Sequence, residues 1–229
     1  MKRVTGIGGI FFKAKDVESL KDWYRDQLGF EITQWGAAFV WGDPDPNNNQ
    51  SCSTAWSVFK NDSNHFAPSA LPYMINYRVH DLKALIDTLR NEGVDVVGGI
   101  DEYDYGKFAW IMDADGRKIE LWEPVDSGFG EAAPPWAGKV AGLSGIFLRS
   151  DDPQRTKEWY KNHLGVDKPF LSRDLSSNKE VKTSWDALDK QNEIFRGTDK
   201  PYVFSYRVND PRNAATLFDP EGNKVILTP

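Results

Sequence analysis

Side chains able to bind a metal or move a proton near neutral pH are few and scattered in this 229-residue chain, which has three histidines and one cysteine. His65 lies in the polar run NDSNH, where exposure is the default expectation. His80 follows an apolar run at the turn into a helix and is expected to be solvated. His163 stands near the end of a helical stretch, where a positive charge favours the helix dipole. No two of the three are spaced to gather a ligand. Cys52 follows the polar run NNNQ and has no base near it in sequence, so a nucleophile is not expected there. A lone cysteine also excludes an intrachain disulfide. The glycines Gly6, Gly8 and Gly9 lack the spacing of a nucleotide loop, and no G-x-S-x-G elbow is present. Chemistry here must come from a pocket whose residues are far apart in sequence.

Composition narrows what such a pocket can serve. Hydrophobic residues make up 40% and charged residues 27% of the chain, an ordinary balance for a folded protein. Nine Trp and thirteen Phe suggest aromatic-lined cores or pockets. The formal net charge of -6 has no basic block, which disfavours nucleic acid and anionic membrane surfaces as partners. The opening MKRVTGIGGIFFKAKD reads as a strand and not as a leader. No stretch approaches the roughly 18 apolar residues of a membrane span. A cytoplasmic location is the expectation, and the oligomeric state is not legible.

The elements that must position a pocket come in two copies. Thr5–Glu31 (TGIGGIFFKAKDVESLKDWYRDQLGFE) aligns without a gap to Ala141–Asp167 (AGLSGIFLRSDDPQRTKEWYKNHLGVD). Ser53–Trp56 aligns to Lys182–Trp185, and Tyr73–Asp81 to Tyr202–Asp210. Asp113–Trp122 aligns to Asp219–Thr228. This order of blocks indicates a duplication, with domains at residues 1–124 and 141–229. The Pro-, Gly- and Ala-rich segment at 125–140 reads as the linker between them.

Within the first copy, Ile7–Ala14 has strand character. Asp16 can cap a helix from Val17 to Leu28 that Gly29 ends, with Leu20, Trp23, Tyr24 and Leu28 on its core face. Strands are expected at Glu31–Gln34, Ala38–Trp41 and Thr54–Phe59. A second unit follows: strand Met74–Val79, a helix capped by Asp81, and strands Val94–Val97, Phe108–Asp113 and Lys118–Trp122. Asp115-Gly116 is a hairpin turn. The order is βαβββ–βαβββ.

That order resembles the glyoxalase / bleomycin-resistance / dioxygenase superfamily, also called vicinal oxygen chelate proteins. The residues that carry the resemblance are the opening strand followed by D-x-x-x-x-x-x-W-Y-x-x-x-L-G and the closing D-x-D-G-x-x-I-E-L-W-E-P at Asp113–Pro124. The implied fold class is α+β, with paired βαβββ modules forming cupped mixed sheets in two tandem domains. The second domain is shortened. Only PRNAATLF joins Asp210 to Asp219, where the first copy uses Leu82–Met112. Either that domain is naturally truncated or the chain as given lacks a segment. Removing a helix and one strand leaves the remaining strand directions compatible, with Asp210–Asn213 turning the corner.

Members of the superfamily hold one divalent metal with His, Gln or Glu from four strands at the cup floor. The resemblance places those positions on Gly9, near Trp56, on Met74 and on Glu120, and in the second copy on Gly145, Trp185, Val203 and Ile226. Only Glu120 is a useful ligand, so no metal or other cofactor is expected. Strand alternation puts Glu120 and Trp122 on one face. Glu120 is a weak candidate for a general base with a raised pKa. The simpler reading makes it a structural acid bonded to Arg78, Asn76 or the backbone. Phe11, Trp56, Asn76, Arg78 and Trp122, with Lys13, are the candidate ligand-binding lining. Trp56 and Trp185 match across both copies and are expected to pack in the two cups. The leading functional reading is metal-independent binding of an aromatic or planar small molecule in the first cup. The alternatives are a superfamily lyase, isomerase or dioxygenase using Glu120, and a structural role for the second domain.

Overall fold

The computed structural model describes residues 3–45, 47–48, 51–125 and 138–229. The expected linker is therefore described only at its two ends, and Asn49 of the NNNQ run lies outside the described residues. In the first half, β1 (Gly6–Ala14) leads into α1 (Val17–Leu28), β2 (Ala37–Gly42) and β3 (Ser51–Lys60). Then come β4 (Tyr73–Arg78), α2 (Leu82–Asn91), β5 (Val96–Tyr103), β6 (Gly106–Met112) and β7 (Lys118–Pro124). The second half has β8 (Val140–Ser150), α3 (Pro153–Leu164), β9 (Phe170–Arg173), β10 (Glu180–Asp189), β11 (Tyr202–Val208), β12 (Ala215–Phe218) and β13 (Lys224–Thr228). All the strands join one mixed sheet in the order β12-β13-β11-β8-β10-β9-β2-β3-β1-β4-β7-β6-β5. The fold class is α+β, as expected. The halves meet in that sheet through the pair Gly42–Arg173. No described helix is long and apolar enough to cross a membrane.

The local signals explain the helices. Asp16, Asp81 and Asp152 each accept a hydrogen bond from the backbone N–H three residues on, at 2.9–3.0 Å, which satisfies a donor the helix leaves free. Two expected elements differ. Glu31–Gln34 is not a strand, because the Thr33 and Gly36 backbones bond each other and close a tight turn before β2. The strand expected at Val94–Val97 starts at Val96 and runs on to Tyr103, because the Val94 N–H still bonds Leu89 at the helix end.

In the second half, Asp210 caps a short 3₁₀ turn at Pro211–Asn213, and β12 follows directly. β13 runs parallel to β11 and antiparallel to β12. β7 has the same relation to β4 and β6. The counterparts of α2 and β5 are missing, and the remaining strand directions agree.

The helix-bearing faces of the two halves pack against each other through aromatic rings. Tyr24 of α1 lies 4.7 Å from Trp56 of its own half and 6.4 Å from Tyr206 of the other, centroid to centroid. Tyr160 of α3 lies 4.4 Å from Trp185 and 6.3 Å from Tyr77. Each tyrosine then crosses to a turn carboxylate. Tyr24 donates to Asp219 at 3.2 Å and Tyr160 to Asp113 at 3.0 Å. Asp113 is also paired with Arg117 at 2.9 Å. Arg117 donates further to Tyr73 Oη at 2.8 Å and to the Arg149 carbonyl at 2.8 Å. Burying these polar groups is tolerable because each has its partner.

A second tie is pH-sensitive. Glu92, just past α2, pairs with Arg3 near the start of the chain and with His163 Nδ1 of α3 at 2.8 Å. The bonds from Arg3 and then His163 hold its carboxyl down from 4.5 to about 2. A depressed folded-state value means that this stabilisation is full above 4.5 and is lost as pH falls toward 2. Urea midpoints taken from pH 6 to pH 2 should fall less steeply for Glu92→Gln than for the native chain, and equal slopes would contradict the assignment.

Candidate functional site

Strand register decides which residues share the open face of the first half. Gly9 pairs with Ala55 and Asn76, Asn76 with Glu120, and Glu120 with Trp110. Arg78 pairs with Trp122, which pairs with Phe108. These residues, with Phe11 and Met74, line the cup. Trp56 pairs with Ile10 and points the other way. It is 0% exposed and packs 5.5 Å from Phe12 and 5.3 Å from Phe30. Placing Trp56 in the cup lining was therefore wrong by one residue of register. Trp185 likewise packs on Tyr160 and not in a cup. On β3 the cup-facing residues include Ala55, Ser57 and Phe59.

Phe11, Phe66 and Met74 make a small apolar floor, flanked by Ala55, Phe59 and Trp110. Phe66 comes from a 3₁₀ turn, Asn64–Phe66, whose first N–H groups are capped by Ser63. The same turn delivers His65, which is not the solvated loop residue expected. Its ring stacks on Phe59 at 4.9 Å and 10°. Its Nε2 stands 3.9 Å from Glu120 Oε2, and its side chain is 35% exposed. Lys118 fixes the turn by donating to the His65 carbonyl at 2.8 Å, with its ammonium 5.1 Å from the centre of the Trp110 ring. Lys13 lies over the Phe66 ring at 5.1 Å. His80 is exposed, as expected.

Glu120 is 5% exposed. Its Oε1 accepts from Asn76 Nδ2 at 2.7 Å and its Oε2 from Trp110 Nε1 at 2.8 Å. Of the partners expected, Asn76 is present, and Trp110 is new. Arg78 instead lies 4.9 Å from the Trp122 ring and 5.8 Å from the Trp41 ring. Burial pushes the Glu120 carboxyl up against the opposing pull of Asn76, Trp110 and Lys118. Burial and the Lys118 charge pull the His65 imidazole down. The Asn76 Oδ1 atom is buried with no hydrogen-bond partner.

The second half builds the same floor without these polar groups. Thr216, Ile226, Ser205 and Gly145 hold the register of Trp110, Glu120, Asn76 and Gly9. A 3₁₀ turn at Glu193–Phe195, capped by Asn192, puts Ile194 in the place of His65 and buries Phe195 as Phe66 is buried. Lys224 donates to the carbonyls of Glu193 and Arg196 at the two ends of this turn, where Lys118 of the first half donates to the carbonyl of His65 within its turn.

The residues present do not fit a metal ion. A Cβ added to Gly9 would lie 2.6 Å from Phe11 Cζ, so the Phe11 ring fills the space that a ligand side chain from this position needs. At Gly145 the Phe147 ring does the same, 2.7 Å from the added Cβ. Ala55 and Met74 offer no hard donor, and both Glu120 oxygens already accept from N–H groups. Among the described residues no three His, Cys, Asp or Glu side chains come together as a metal site would require.

The sequence matches the Glyoxalase/Bleomycin resistance protein/Dioxygenase superfamily model over residues 6–121, just over half of the chain. No curated protein matches it. Among solved structures, the Mn(II)-bound glyoxalase from Novosphingobium aromaticivorans is similar, with a TM-score of 0.66 and 15% identity, covering 99% of this chain and 82% of that one. The 2,3-dioxygenase LapB from Pseudomonas sp. KL28 has a TM-score of 0.59 and 15% identity, covering 99% and 92%. The 2,2',3-trihydroxybiphenyl 1,2-dioxygenase from Sphingomonas wittichii strain RW1 has a TM-score of 0.57 and 14% identity, covering 98% and 90%. At such identities the likeness concerns the fold alone.

Glu120 supplies a stability test of whether it serves the fold. Its carboxyl is raised above 4.5 in the folded state, so the associated stability is full below that value and is lost as pH rises through the folded one. Glu120→Gln keeps the shape and removes the buried charge, and a flipped Asn76 can turn its unpartnered Oδ1 to the new amide. The variant should match or exceed the native chain in unfolding free energy at pH 8, with the difference shrinking as pH falls toward 4.5. A loss of more than about 2 kcal/mol at pH 8 would make Glu120 a structural acid.

Proposed function

The chain belongs to the glyoxalase/bleomycin resistance protein/dioxygenase superfamily, and on that footing we propose that it binds a planar small molecule in the cup of its first half, without a metal ion. The observation that carries this reading is the contrast between the floors. One half keeps a buried carboxylate, an imidazole and an orphaned amide oxygen, whereas the other makes the same turns and strands with Ile226, Ile194 and Ser205. Desolvating a carboxylate costs free energy, and the second half shows that the fold does not require it. Polar groups retained at a cost in an aromatic cup have the composition of a ligand site, mostly apolar with a few placed hydrogen-bonding groups. The filling of the Gly9 position by Phe11 supports metal independence.

A second reading, acid–base catalysis at the same place, is favoured by the 3.9 Å approach of Glu120 Oε2 to His65 Nε2, with burial raising the proton affinity of the carboxyl. Turnover that survives a chelator and disappears in Glu120→Gln would select it.

Elemental analysis of protein purified without chelator should find far less than one Zn, Ni, Fe or Mn per chain. Toluene should show saturation transfer from the protein by NMR, unchanged by chelator. One tightly held ion per chain, or no transfer to any benzene-ring probe, would contradict the proposal.

A further inference from the structure

His65 Nε2 and Glu120 Oε2 stand 3.9 Å apart beside the apolar floor of the first cup, the carboxylate buried and the imidazole part-exposed. That is too long for a direct hydrogen bond and suits one bridging oxygen at about 2.8 Å from each. We infer that the pair clamps a single hydroxyl group carried by a planar aromatic ligand, which donates to Glu120 and accepts from His65. This rests on the reading of the first cup as a small-molecule site.

The donor and acceptor inventory selects the hydroxyl. Glu120 Oε2 already accepts from Trp110 and, as a carboxylate, can only accept again. The group facing it must therefore donate. A neutral imidazole with its proton on Nε2 donates in turn, so the same group must also accept. An anion is opposed by Glu120, and an ammonium group would leave the His65 N–H without an acceptor. A hydroxyl meets both demands with one atom. The surfaces beside the gap are rings: Phe59, on which His65 is already stacked, and Trp110. Both rings also pack against the apolar floor, so a flat molecule at the gap meets apolar surface beside its polar group.

The second half acts as an internal control. Its 3₁₀ turn and last strand put Ile194 and Ile226 at the two clamp positions while keeping the buried phenylalanine and the lysine that fix the turn. Neither clamp residue is needed to build the turn or the strand. His65 adds a specificity that the other half lacks.

The test compares phenol, anisole and toluene as probes, by calorimetric or NMR titration of the full chain and of His65→Ile and Glu120→Ile. A hydrogen bond to a charged group contributes enough for at least a tenfold difference. Phenol should therefore bind at least tenfold more tightly than anisole, a ratio that falls to about one in Glu120→Ile, whereas His65→Ile, which removes the donor to the hydroxyl oxygen, should narrow the advantage of phenol over toluene. His65 is part-exposed, so the phenol-to-toluene ratio of His65→Ile keeps the test decisive if Glu120→Ile fails to fold. Equal binding of phenol and anisole by the native chain, a preference for phenol over anisole that persists in Glu120→Ile, or a phenol-to-toluene ratio unchanged in His65→Ile overturns the clamp and leaves the cup reading standing. Binding of none of the three probes overturns both.

Discussion

Two tyrosines hold the molecule's halves in register. Tyr24 leaves α1 to reach Asp219, and Tyr160 leaves α3 to reach Asp113, so each half inserts a ring and a hydroxyl into the other. A buried phenol needs a partner for its hydroxyl, and each partner is a carboxylate in a β-turn of the opposite half. The exchange fixes which faces meet. It places Trp56 and Trp185 beneath the two tyrosines and closes both helix faces against water. The opposite face of the first half, lined by Phe11, Asn76 and Glu120, is left outside this seam, where its residues answer to a different demand.

On that face the two halves share a floor and differ in chemistry. Both place a phenylalanine ring over a glycine in the first strand of the half, both insert a second phenylalanine from a capped 3₁₀ turn, and both hold that turn with a lysine. The structural requirements are therefore met twice. What differs is Glu120 against Ile226, His65 against Ile194, Trp110 against Thr216 and Asn76 against Ser205. A buried ionisable group opposes folding unless its partners compensate, and Glu120 accepts from two N–H groups, with an imidazole 3.9 Å away and the Lys118 charge also acting on it. The arrangement is one in which a polar ligand group can complete the hydrogen bonding.

Much of the fold was legible because its signals are local. The Asp16 and Asp81 caps, the closing Gly29 of α1 and the Asp115-Gly116 turn are each read from a few adjacent residues. The errors came where contact depends on register across the sheet. Trp56 reads as a cup residue until β1 and β3 are aligned, and one position of slip sends it to the other face. His65 was missed because a polar run conceals a turn aimed inward. Its signal was the alignment of Asn64–Phe66 with Glu193–Phe195, which carries a phenylalanine in the same place. Trp110 could have been found by counting outward from the Asp115-Gly116 turn, which sets it opposite Glu120.

The claim at the centre is that the polar floor of the first half serves a ligand and not the fold. It is tested most directly by giving the first half the floor of the second. The double variant Asn76→Ser with Glu120→Ile should be examined by urea unfolding at pH 8. The account predicts a cooperative transition with an unfolding free energy equal to or above that of the native chain. A chain that no longer folds, or that unfolds at distinctly lower urea, would contradict it and return Glu120 to the scaffold.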